Sequence, residues 1–185
     1  MEADLEVLQE LARALRNLCQ DTVVQAGVVA YGGIALFVEL SLPGDPILQA
    51  YSAQALGLLS QEPHNQYTVL KEGGLQALLS STSSREPEVA TLALDALLKL
   101  SKFDEGRQYI AGEATARLLG VLKGDNPEER SLSGAVLASL SENLTAHAFL
   151  AKNQAPSAVM SCLKDPLRPE SHVVCAQILA GHTHS

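Results

Sequence analysis

Residues 46–81 read PILQAYSAQALGLLSQEPHNQYTVLKEGGLQALLSS, and this stretch decides the fold. Leu56 and Leu59 stand three apart, which is the spacing of a helix face. Pro46 opens the run, where the first helical turn has no partner for a backbone N–H in any case. Gly73-Gly74 marks a turn, since glycine reaches positive φ without a steric cost, and an apolar helix carrying Leu78 follows it. Between the two lies a short helix over residues 64–72, with Tyr67 and Leu70 expected to face inward. The stretch predicts three kinds of helix in succession.

The same pattern recurs along the chain. Pro46, Pro87, Pro127 and Pro169 each open a helical segment, at separations of 41, 40 and 42 residues, and one further step back reaches Leu5. The tenth position from each start holds Leu15, Leu56, Leu97, Leu137 and Leu179; the thirteenth holds Leu18, Leu59, Leu100 and Leu140, then His182. Positions six and seven are mostly small, as in Ser52-Ala53 and Ser133-Gly134, which lets neighbouring helices approach. Twenty-eight residues after the starts come Gly33, Gly74, Thr115 and Ala155, followed by Phe37, Leu78, Leu119 and Val159 at equivalent places. A fixed period of this length is the mark of a repeat architecture, in which no unit buries its apolar face alone.

Composition agrees. The 185 residues are 46% hydrophobic and only 4% aromatic, with no tryptophan and few β-branched runs, so an all-α compact unit is expected. Thirteen basic residues against 21 acidic ones leave a net charge of −8, which argues against nucleic acid and anionic membrane surfaces as partners. No apolar run reaches membrane-spanning length, and the leading Met1-Glu2-Ala3-Asp4 is acidic where a secretory or mitochondrial leader is basic. A cytoplasmic, or alternatively nuclear, location is the expectation. Asn143-Leu144-Thr145 matches the glycosylation pattern but lacks that secretory context.

The period near 41, the forms Ala14-Leu15-Arg16-Asn17-Leu18 and Ala55-Leu56-Gly57-Leu58-Leu59-Ser60, and the run Glu72-Gly73-Gly74-Leu75-Gln76-Ala77-Leu78-Leu79 resemble the armadillo repeat. The resemblance is stronger over residues 1–102 than beyond, where Thr115 and Ala155 replace the turn glycine. It implies a right-handed α-α superhelix: one domain over residues 1–185, with a lone third helix at 3–19 and repeats at about 20–61, 62–102, 103–142 and 143–185. HEAT repeats, with two helices in a similar length, are the structural rival. Glu2, Asp4, Glu6 and His182 suggest polar caps at the two ends.

Chemistry has no visible carrier. Gly27, Gly32 and Gly33 lack the Lys and Ser or Thr of a phosphate loop, and no metalloprotease helix, nucleophile elbow or dinucleotide fingerprint occurs. His182 and His184 are two potential metal ligands at a terminus, too few for a site. Cys162 and Cys175 read as core hydrophobes, and Cys19 takes the place of Ser60, Ser101 and Ser141 near a helix end. No enzyme, cofactor or metal site is expected.

The resemblance implies that third helices line a concave face. Its inward positions would be Glu10, Arg13 and Asn17; Tyr51, Gln54 and Leu58; Leu92, Asp95 and Lys99; Leu132, Ala135 and Ser139; and Val174, Gln177 and Gly181. Of the asparagine ladder and stacked tryptophans that clamp extended peptides in family members, only Asn17 is present. Tyr51, Leu58, Leu92 and Leu132 form an apolar middle edged by Glu10, Glu88, Asp95 and Glu128 against Arg13 and Lys99. Such a strip suits a peptide or helix with apolar anchors and basic flanks, unless Leu92 and Leu132 are simply buried between third helices. The functional expectation is a protein-binding adaptor or scaffold, with end-to-end homo-oligomers a further possibility. The alternative is an armadillo-fold chaperone cofactor that speeds nucleotide exchange.

Overall fold

The computed structural model describes residues 2–42, 44–164 and 170–181, without the side chains of residues 2, 3, 170, 171, 174 and 181. Among the described residues there are twelve helices and no strand, arranged in two compact units, residues 1–100 and 101–185. The first unit holds α1 (Glu2–Leu18), α2 (Thr22–Ala30), α3 (Gly33–Leu40), α4 (Pro46–Leu59), α5 (Pro63–Lys71), α6 (Gly74–Ser81) and α7 (Pro87–Leu100). The second holds α8 (Asp104–Leu122), α9 (Pro127–Ser141), α10 (Leu144–Lys152), α11 (Ala155–Leu163) and α12 (Glu170–Gly181).

Pro46, Pro87 and Pro127 each begin a helix as the spacing predicts; Pro169 lies outside the described residues, as do His182 and His184. Local side chains complete several of these starts. Asp45 accepts from the Leu48 N–H at 2.9 Å, and Asn126 accepts from Glu128 N–H at 3.0 Å, satisfying donors that the first turn leaves orphaned. The repeated leucines then fill the cores: Leu56, Leu59, Leu97, Leu100, Leu137 and Leu140 are fully buried, as are Phe37 and Val159. In the first unit α4 packs against α1, α3 and α7, and α7 against α6; in the second, α9 packs against α8 and α12.

The tandem glycines divide their work. Gly32 and Gly73 take positive φ, at +79° and +89°, and α2 and α3 meet there at a bend of 81°. Gly33 and Gly74 are ordinary in φ but have no room for a side chain: a Cβ on Gly33 would lie 2.4 Å from Val28 Cγ1 and 2.7 Å from the Val28 carbonyl oxygen. Where the glycines are missing the outcome differs. At Ala114-Thr115 the chain does not turn, and α8 runs through 19 residues, with the buried Thr115 hydroxyl donating to the Ala111 carbonyl at 2.7 Å. The third repeat therefore has two helices, because alanine favours the helix and pays heavily for the left-handed region. At Gln154-Ala155 the turn survives, with Gln154 itself at φ 55°.

One further expectation is corrected and another qualified. Tyr67 points outward, 60% exposed, because α5 buries Asn65, Gln66, Val69 and Leu70 instead. The leading helix exposes Asp4 and Glu6 as expected of a cap, but Val7, Leu11 and Leu18 on α1 are about half exposed as well.

Candidate partner-binding face

The candidate residues of the first unit lie on α1, α4 and α7. On α4 nearly every other side of the helix is covered, and Tyr51, Gln54 and Leu58 form a half-buried stripe at i, i+3 and i+7. On α7, Leu92, Asp95 and Lys99 form the matching half-buried stripe, while Glu10, Arg13 and Asn17 on α1 are exposed. The helices come close because the crossing is lined by small residues: a Cβ on Gly57 would sit 3.0 Å from Ala96 Cβ. Leu92 is thus neither fully buried nor free, which answers the question its sequence position left open.

Charges on this stripe are paired along their own helices. Lys99 Nζ lies 2.7 Å from the Asp95 carboxylate, and Arg13 pairs with Glu10. The Arg16 guanidinium stands over the Tyr51 ring, 5.3 Å from its centroid. Beside that ring, at the amino ends of α4 and α7, opens a cleft of about 190 Å³ bounded by Ile47, Tyr51 and Val89, with Glu86 and Glu88 at its edge. An aromatic wall, an aliphatic floor and two carboxylates form a setting for a long cationic side chain.

In the second unit, Leu132, Ala135 and Ser139 are half-buried on α9, and Gln177 is exposed on α12; the Val174 side chain and the exposure of Gly181 lie outside what the structure describes. Ser139 is not offered to a ligand, since its hydroxyl donates to the Ser101 carbonyl at 2.7 Å and lies 3.3 Å from Arg107 Nε. A groove of about 560 Å³ is floored by Ala135, Ala138 and Ala180 and rimmed by Lys102, Arg107 and Glu142. Arg107 is engaged there with Asp104 at 3.0 Å and Glu142 at 3.5 Å.

Sequence reasoning missed a second repeated feature. Gln25, Gln66, Arg107 and His147 each reach back six residues to a main-chain carbonyl, of Cys19, Ser60, Ser101 and Ser141, at 2.8, 2.8, 2.9 and 2.8 Å. Three of these carbonyls lie at the ends of α1, α4 and α9, whose last turns have no partners of their own, so the side chains tie α2 to α1, α5 to α4 and α10 to α9, while Arg107 binds within the second unit. The signal was present as a polar residue at the same place in every repeat, in four positions about 41 apart.

Cys19 and Cys175 are buried, whereas Cys162, expected in the core, is half-buried. Cys19 is fully buried and burial pushes its pKa up to about 11; Cys175 is raised to about 11 by burial and then by Cys162 beside it. Among the described residues no three His, Cys, Asp or Glu side chains converge as metal ligands, and no single helix is long and apolar enough to cross a membrane.

No protein-family model matches the sequence, and no curated protein does. Solved structures do. A designed armadillo repeat protein in complex with the peptide (KR)4 is similar over 96% of this chain and 76% of its own, with 16% identity and a TM-score of 0.86. Computationally designed armadillo repeat proteins for modular peptide recognition are similar over 95% of this chain and 76% of theirs, at 16% identity and TM-score 0.84. An engineered protein solved by a structural genomics consortium is similar at 21% identity over 96% of this chain and 73% of its own, with TM-score 0.84. The all-α arrangement with a period near 41 is therefore the armadillo-type repeat fold.

Proposed function

We propose that this chain is a non-catalytic protein-binding adaptor or scaffold, and that the stripes on α4 and α7 hold a partner peptide or helix. The carrying observation is the half-buried series Tyr51, Leu58 and Leu92, with acidic Glu86 and Glu88 around the cleft beside Tyr51. Apolar anchors of the partner pack on the leucines, and a Lys or Arg lays its stem along Tyr51 with its charge towards the carboxylates. The similar fold of a protein that holds (KR)4, and the net charge of −8, support a partner with basic flanks. A single armadillo domain over residues 1–185 and a cytoplasmic or nuclear location belong to the same reading.

Fluorescence anisotropy with labelled (KR)4 peptides, with and without leucines between the basic pairs, tests it. Saturable binding is expected, strongest for the leucine-containing peptide and weakened by salt. A Leu58→Asp, Leu92→Asp double variant that keeps its helical circular dichroism yet binds as tightly as wild type overturns the assignment of this face.

A further inference from the structure

We infer that the cleft between α8 and α10, in the second unit, is a binding site for the alkylammonium end of a methylated lysine side chain. The cleft holds about 450 Å³ and is lined by Gln108, Tyr109, Gly112 and Glu113 of α8 and by Phe149 of α10. Arg107 and His147 occupy the same place in successive repeats, each reaching back six residues to a carbonyl, so Tyr109 and Phe149, two positions further on, are equivalents as well. Because α8 and α10 pack together, the repeat brings both rings into one cleft. Neither is spent on the core, since Tyr109 is 53% exposed and Phe149 half-buried.

Gly112 is an independent sign that the cleft is kept open. It lies in the interior of α8, where glycine weakens a helix relative to alanine, and the fold does not require it there. Its φ is not positive, and a Cβ would meet only the edge of the Phe149 ring, at 3.7 and 3.8 Å, which is ordinary contact. What a side chain at this position would occupy is the floor of the cleft. The equivalent positions, 41 residues before and 40 after, hold Lys71 and Lys152, so the third repeat is open where its neighbours carry a lysine of their own.

Charge and aromatic surface together select the occupant. Glu113 is the charged residue of the lining and has no ion pair among the described residues, so its carboxylate is open to an incoming cation. Glu105, one turn before Tyr109 on the same side of α8, adds a second negative charge. Ring faces attract cations, and they favour an alkylated one, whereas a bare ammonium is compact and holds its water strongly. A dimethylated nitrogen meets the rings with its methyl groups and keeps one N–H to donate to Glu113. An anion is repelled here, and a neutral alkyl chain leaves the carboxylate unanswered.

Amide-resolved NMR of the full chain, titrated with acetylated dimethyllysine amide, reads the site. Saturable shifts are expected at Gly112, Glu113 and Phe149, with none from the neutral norleucine amide and weaker binding of unmodified lysine amide. Glu113→Gln and Tyr109→Leu are each expected to weaken binding roughly two- to fivefold. Gly112→Ala separates a ligand site from a packing detail, because it is expected to raise the urea midpoint while removing the shifts at Glu113 and Phe149. Absence of localised shifts, equal binding of the norleucine or the unmodified lysine amide, or wild-type affinity in Gly112→Ala each overturns the assignment. A Leu58→Asp, Leu92→Asp chain that keeps its helical circular dichroism is expected to bind the dimethyllysine probe as wild type does, whatever becomes of its peptide binding. Loss of the probe in that chain places it on the α4 and α7 face instead and overturns the site.

Discussion

Arg16 lies with its guanidinium over the Tyr51 ring, 5.3 Å from the centroid, while its Nε is buried without a hydrogen-bond partner among the described residues. The ring thus replaces water as the neighbour of a partly desolvated cation, and joins α1 to α4 at the candidate face. Tyr51→Leu keeps the apolar volume and removes the quadrupole. A loss of about 0.5–2 kcal/mol in urea unfolding is expected, together with weaker binding of basic peptides.

The two glycines of one turn are expected to fail differently. Gly32→Ala meets no atom within 4 Å but must hold φ near +79°, costing about 1–2 kcal/mol. Gly33→Ala sets a Cβ against Val28, including its carbonyl oxygen at 2.7 Å, and overpacking of this kind costs about 1–3 kcal/mol or more. Adding Val28→Ala removes the side-chain clash and leaves the main-chain one, so only partial rescue is expected. Thermal unfolding of the three variants checks the order.

Gln154 occupies the place of Gly32 and Gly73 with φ at 55°. Replacing it by glycine relieves the left-handed strain, at some cost in unfolded-chain entropy. Gln154→Gly is expected to raise the unfolding free energy by up to about 1 kcal/mol, measured by denaturant titration, and a fall would show that the glutamine side chain supports the turn.

Gln66 is buried, and its amide donates to the Ser60 carbonyl at 2.8 Å. Gln66→Leu preserves size but strands that carbonyl, with an expected loss of about 1–3 kcal/mol. Faster amide exchange at the start of α5 is the accompanying sign.

Burial raises the Cys19 thiol from 9.0 to about 11, so the thiolate is disfavoured in the folded state. A folded pKa above the unfolded one gives stabilisation that is complete below pH 9 and is lost as pH rises through about 11. Unfolding free energy is expected to fall across that window, and less steeply in Cys19→Ser, since Ser60 already fills the equivalent site with its hydroxyl donating to the Leu56 carbonyl. Iodoacetamide at neutral pH is expected to reach the half-buried Cys162 before Cys19 or Cys175.

What the sequence determined by itself was whatever repeats. Prolines at the helix starts, leucines three and four apart and the tandem glycines each act within one or two turns of chain, so their effect is legible as spacing. The stripes Tyr51-Gln54-Leu58 and Leu92-Asp95-Lys99 were legible for the same reason, since a helix face is a matter of period. Only the tertiary structure decided the rest. Whether Ala114-Thr115 turned or continued depended on helix propensity against a left-handed penalty that neighbouring contacts had to outweigh, and there they did not; at Gln154 the turn was kept. The direction of Tyr67, the engagement of Ser139 by a carbonyl 38 residues away, and the exposure of Leu11 on α1 depend on which surfaces meet, and meeting is a property of packing in space that no local pattern encodes.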